Sequence, residues 1–132
     1  MELSPQQLVD CDMFSRGCDG GMAYNAYDYL TDHFAYLEED YRYKAKAGDC
    51  KYNRHEAKSS SGLKLASYVC ISPQSPAGML PAVAQQPIAV SIDASSDVFQ
   101  NYSSGVLDSK KCGTHTDHAV SIVGYGNDPE SS

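Results

Sequence analysis

The apolar residues of this chain change their spacing partway along it, and that change limits the folds open to it. Ala23, Ala26, Tyr27, Leu30 and Phe34 recur at intervals of three and four, which places them on one helical face. In Ile88–Ala94 the apolar residues alternate with a period of two, the pattern of a strand. Ser4 is the candidate N-cap of a short first helix over about residues 5–10. Pro5 stands at its first position, and Gln7 lies where a capping box places Glu or Gln. The glycines of "SRGCDGG" predict a turn, and a second helix runs from Met22 to about His33. The polar, tyrosine-rich stretch from Leu37 to Gly62 has no period and is expected to be a long irregular segment that needs fastening. "SSSG" at Ser59–Gly62 marks a boundary. Beyond it "LKLASYVCI", "IAVSIDA", "GVL" and "DHAVSIVGYG" read as strands, and "VFQNY" as a short turn of helix. "SPQSPAGMLPAVAQQP" reads as a turn and a short helix that Pro81 confines to its last two turns. Helices first and strands later imply an α+β protein with a helical part at 1–60 and a β part at 61–132.

A chain of 132 residues suits one domain and can bury a core. No apolar run approaches the roughly 20 residues of a membrane helix, and no signal peptide is visible. The net charge of −7 opposes binding to a phosphate backbone, so neither a nucleic-acid nor a membrane partner is expected. The five cysteines (Cys11, Cys18, Cys50, Cys70 and Cys112) include no CxxC pair and point to a disulfide framework in an oxidising compartment. An odd count leaves at least one thiol free or paired outside the chain. Asn101-Tyr102-Ser103 is a glycosylation sequon, which suits the secretory route.

One ionisable residue stands where a buried strand begins. In "CGTHTDHAVSIVGYG", His118 precedes Ala119, Val120, Ile122 and Val123, with Asp117 before it and His115 three residues back. By itself such a histidine reads first as a structural residue beside a strand. Cys112, His115 and His118 are also zinc-type ligands spaced by threes, but residues three apart in a strand face opposite sides, and no fourth ligand is evident. No metal is therefore expected.

The strings "LSPQQLVDCDMFSRGCDGG", "EEDYRYKAKAGDCKYN", "QQPIAVSIDASSDVFQNYSSGV", "CGTHTDHAV" and "DHAVSIVGYG" occur in the order, and over nearly the whole length, that resembles the papain-like cysteine proteases. That resemblance implies a helical left part and an antiparallel, barrel-like right part, truncated at both ends. It makes His118 the catalytic histidine. The family's nucleophile lies in CG[SA]C[WY], about 130–150 residues before that histidine. The present sequence has no such string and no Trp, so its nucleophile is expected ahead of Met1 and the orienting asparagine beyond Ser132. As written, the 132 residues should not hydrolyse peptides.

The resemblance also implies that Cys11 pairs with Cys50, and that Cys18 and Cys112 pair with cysteines outside the chain. Cys70 matches no family cysteine and is expected to be a buried free thiol. Gly20 and Gly21 would line the substrate cleft, where bare backbone can bond an extended peptide. Met22, Ala23, Ser91, Thr116 and Ala119 would surround the side chain two before the cleaved bond, and Asp117 would border the histidine and the cleft. Further implied are a peptide or protein substrate, the parent's own propeptide, protein inhibitors, no cofactor, and a lysosomal, vacuolar or extracellular location. The competing reading is a non-peptidase homologue with a binding, structural or biomineralising role.

Overall fold

A computed structural model describes residues 1–72 and 75–127. The turn expected around residues 72–75 and the end of the chain fall partly outside them. The chain divides into two compact units, Met1–Val69 and Cys70–Ser132, so the division falls after Val69 and not after residue 60. Residues 63–69 join the first unit through specific bonds. Ala35 N donates to Leu63 O (2.9 Å), Leu65 N to Leu30 O (3.0 Å), and Tyr68 Oη to Asp28 Oδ1 (2.7 Å). With its backbone used in this way, "LKLASYVCI" is not a strand, and Cys70 at its end is exposed instead of buried.

In the first unit, α1 (Pro5–Cys11) starts as its sequence requires. Ser4 Oγ accepts from Gln7 N at 3.1 Å, and Pro5 fills the first turn, where no N–H is needed. The second half of the expected capping box does not form, because the Gln7 side chain is used elsewhere. Its amide donates to Phe34 O (2.9 Å) and Tyr29 Oη (3.2 Å), and its Oε1 accepts from Tyr36 N (2.8 Å). Gln6 does the same on the other side of the helix. It donates to Asp10 Oδ1 and Lys46 O and accepts from Lys44 N, all at 2.8 Å. Gln6 and Gln7 are 0 % and 1 % exposed, yet each makes three hydrogen bonds, so burial costs these amides little. Gln6 grips both neighbours of Ala45, a non-glycine residue in the left-handed region at φ 54°.

The helix α2 (Ala23–Asp32) matches its expected span, but its buried residue is Tyr29, one position off the expected apolar face. Burial pushes the Tyr29 phenol up to about 12, so it stays neutral and accepts from Gln7 at any working pH. Tyr36, Tyr41 and Ala57 form the core cluster, with Phe34 and Tyr52 packed against it. Ala57 comes from α3 (Arg54–Ser60), a helix inside the stretch expected to be irregular. Asn53 Oδ1 caps it, accepting from His55 N (2.9 Å) and Glu56 N (3.3 Å).

Cys11 and Cys50 form a disulfide with Cα atoms 4.8 Å apart, the pairing the resemblance implied. Closing a loop of 39 residues contributes up to about 4 kcal/mol on chain-entropy grounds. Asp10 adds a polar clamp on the same loop, accepting from Tyr41 Oη (2.9 Å) and Gly48 N (2.8 Å). Burial alone would raise its carboxyl, but the bonds from Tyr41, Gln6 and Gly48 N and the Lys44 charge outweigh it and hold it below its ordinary 3.8. A carboxyl lowered on folding stabilises the fold above its unfolded value and loses that contribution as pH falls through the lower, folded one. The clamp is therefore intact at pH 5.

The second unit holds α4 (Pro76–Val83), β1 (Ile88–Ile92), α5 (Asp97–Gln100) and β2 (His118–Ile122). Pro81 does not confine α4, which begins ahead of it at Pro76 with Ser75 Oγ bonded to Gly78 N (3.2 Å). In so short a helix a mid-chain proline removes one ladder bond, and the cap and Pro76 set the start. "GVL" forms no strand among the described residues. Its Gly105 sits at φ 80° in a bend, and its carbonyl accepts from Tyr102 Oη (2.6 Å). Among the described residues β1 and β2 make one antiparallel pair, with Ile88 opposite Ile122 and Ile92 opposite His118.

Candidate active site

The strand pair decides where the histidine stands. Alternation puts His118, Val120 and Ile122 on one face of β2, opposite Ile92, Val90 and Ile88. Ser91 and Ala119 are cross-strand partners on the other face. His118 is thus the first residue of its strand, at the open end of an apolar row. It is exposed, and among the described residues its ring makes no hydrogen bond or ion pair, which leaves both nitrogens available to a partner. The pairing with Ile92 tethers the backbone beneath it.

The segment leading into β2 is anchored by side chains as well as by the strand. Asp117 N donates to Ile92 O (3.0 Å), and Asp117 Oδ1 accepts from Ala94 N (2.8 Å). Asp117 is therefore a strand-end clamp beside His118. Asp93, which the sequence did not single out, accepts from His115 N (2.9 Å) through Oδ2. Its Oδ1 accepts from Ser95 N (3.2 Å) and Ser95 Oγ (2.8 Å). Hydrogen bonds from the Ser95 hydroxyl and N–H lead the causes that hold the Asp93 carboxyl below its usual range. Thr116, Asp117, His118, Ala119 and Ser91 thus lie together at one end of the strand pair, all exposed.

In the first unit, Gly20, Gly21, Met22 and Ala23 lie together at the entry to α2. Gly20 adopts φ 107°, a region that side chains disfavour, and Met22 is the N-cap. A Cβ on Gly21 would stand 2.3 Å from Ser15 Oγ and 2.6 Å from its Cβ, so only glycine fits without a shift. Among the described residues the N–H and C=O of Gly21 have no hydrogen-bond partner, and the residue is exposed. Backbone left open in this way can pair with an extended chain.

Cys18 and Cys112 are exposed free thiols. Among the described residues no three His, Cys, Asp or Glu side chains converge as metal ligands. None of their helices is long and apolar enough to cross a membrane.

The model of the papain family of cysteine proteases matches residues 1–132. A relative described as "Probable cysteine protease RD21B" of Arabidopsis thaliana is 42% identical over 97% of this chain and 27% of its own length. Caricain of Carica papaya is 38% identical over 96% of this chain and 35% of its own. The chain thus spans about a third of these relatives. Among solved structures, digestive procathepsin L2 from Tenebrio molitor larval midgut superposes with a TM-score of 0.86 at 36% identity, over 97% of this chain and 40% of that one. The α+β architecture is theirs. With every residue of the chain inside the family match, the chain belongs to the papain family of cysteine proteases.

Proposed function

We propose that this chain is the histidine-bearing part of a cysteine endopeptidase and that His118 is its proton carrier. The observation that carries the reading is the free imidazole at the mouth of β2, fixed below by the Ile92 pairing and by Asp117. A cysteine thiol near pKa 8.5 is a poor nucleophile at acidic or neutral pH. His118 takes its proton to leave a thiolate–imidazolium pair, and the thiolate attacks the peptide carbonyl carbon. The C–N bond then breaks, and the imidazolium gives its proton to the departing amine. Water hydrolyses the resulting thioester, with His118 again accepting a proton.

Gly20 and Gly21 offer backbone to the extended substrate. Met22 and Ala23 in the first unit, and Ser91, Thr116 and Ala119 in the second, are each read as residues that meet the substrate side chain two before the cleaved bond, and Asp117 as one that borders the histidine. Met22 and Ala119 favour an apolar group there. Cys18 and Cys112 bond to cysteines outside these residues. The remaining partners are the parent's propeptide and protein inhibitors, and the location is lysosomal, vacuolar or extracellular. Asn101, exposed at the end of α5, carries an N-glycan on that route. N-glycosidase treatment of the secreted protein should lower its mass, and Asn101→Gln should abolish that shift. One relative named above is described as a probable cysteine protease and the superposed structure as a proteinase, and neither description names a binding or biomineralising role.

The transcript ahead of Met1 tests the proposal. A CGxCW string about 12 to 32 codons upstream is the expected result. Serine or glycine in place of its second cysteine would overturn the reading, and so would an in-frame stop directly before Met1.

A further inference from the structure

Two carboxylates at the mouth of the strand pair each hold the other strand's backbone. Asp93 follows β1 and bonds His115 N, ahead of β2; Asp117 precedes β2 and bonds Ala94 N, after β1. The two contacts form a reciprocal clasp around the Ile92–His118 pair. Asp93 is itself fixed on its other oxygen by both Ser95 donors. Gly113 lies against it so closely that a Cβ there would stand 2.1 Å from Asp93 Oδ2 and 2.9 Å from its Cγ. A side chain at 113 would require that carboxylate to shift.

We propose that Asp93 is a positioning residue for His118, holding the segment that enters β2 so that the imidazole keeps one location. His118 is the first residue of its strand, where pairing is weakest, and its own ring is unrestrained within the described residues. Without Asp93 the entry segment keeps, among the described residues, the Asp117 bonds. A displacement of about 1 Å at a proton-transferring group costs on the order of 100-fold in rate. This inference rests on the reading of His118 as proton carrier.

The test uses the complete enzyme, with kcat/KM, its pH profile and the thermal midpoint measured for each variant well below unfolding. Asp93→Ala is expected to lower kcat/KM by about 100-fold and to move the acidic limb of the profile upward, because a misplaced imidazolium stabilises the thiolate less. Asp93→Asn keeps an oxygen for His115 N and is expected to recover to within about tenfold, since one hold remains. Gly113→Ala is expected to impair the enzyme when Asp93 is present. Added to Asp93→Ala, where the obstruction is gone, it should cost nothing further. A lowered midpoint with kcat/KM and the acidic limb unchanged in Asp93→Ala would make the residue structural only and overturn the proposal. If Asp93→Ala does not fold, Gly113→Ala decides: its Cβ would stand 2.1 Å from Asp93 Oδ2, which must leave His115 N, and an unchanged kcat/KM and profile would overturn the proposal equally. Retention of activity in His118→Ala would instead overturn the proton-carrier reading.

Discussion

His118→Ala, introduced into the complete enzyme, is expected to lower kcat/KM by about 10⁴-fold or more. The magnitude follows from the two proton transfers proposed for the imidazole, removing the thiol proton and supplying it to the amine. Groups that act as one catalytic unit cost nearly the full rate enhancement when one is removed, leaving what substrate binding alone provides. The fold should not suffer. The ring is exposed and has no partner within the described residues, and the Ile92 pairing uses only backbone. Unfolding by urea should therefore give an unchanged midpoint beside the lost activity. A small drop in rate with a large drop in stability would indicate a structural histidine.

Gln7→Leu is expected to produce the largest loss of stability. Leucine has a similar volume but cannot hydrogen-bond, so Phe34 O, Tyr36 N and Tyr29 Oη would all lose their partner at once. An orphaned buried polar group costs about 1–3 kcal/mol, so three of them come to about 5 kcal/mol. Water cannot readily replace the amide, because Gln7 is 1 % exposed. The urea midpoint of the complete protein, measured with the Cys11–Cys50 disulfide intact, reads the effect. A change below about 1 kcal/mol would mean that these groups find other partners.

The same glutamine shows where the sequence was legible and where it was not. Ser4, Pro5 and Gln7 announced the start of α1, and Ser4 caps it as expected. Capping chemistry is local, so a few adjacent residues carry it. The buried pair Gln6 and Gln7 was invisible, because apolar periodicity cannot register a core built from amides. For the same reason the expected face of α2 missed Tyr29, whose hydroxyl accepts from a glutamine 22 residues away. α3 did leave a signal: Asn53 with Glu56 three residues on is a helix-start pattern, hidden by the polar, tyrosine-rich sequence around it. "LKLASYVCI" shows the reverse failure. Its residues suit a strand, but α2 and its following loop claim its hydrogen bonds, and Cys70 is left exposed.

At the candidate site, the family-like strings singled out His118 and Asp117 but not Asp93 and Gly113, which lie in such strings as well. Neither falls in an apolar pattern, and their significance is a close approach of two loop segments 20 residues apart in sequence.

The most direct test of the thiolate–imidazolium pair is the pH dependence of alkylation of the nucleophilic thiol by iodoacetamide in the complete protein, with and without His118. The expected result is a thiol that reacts well below its ordinary pKa of about 8.5, with that low-pH reactivity lost in His118→Ala. An alkylation profile that does not change when His118 is removed would contradict the assignment of this histidine to the catalytic pair.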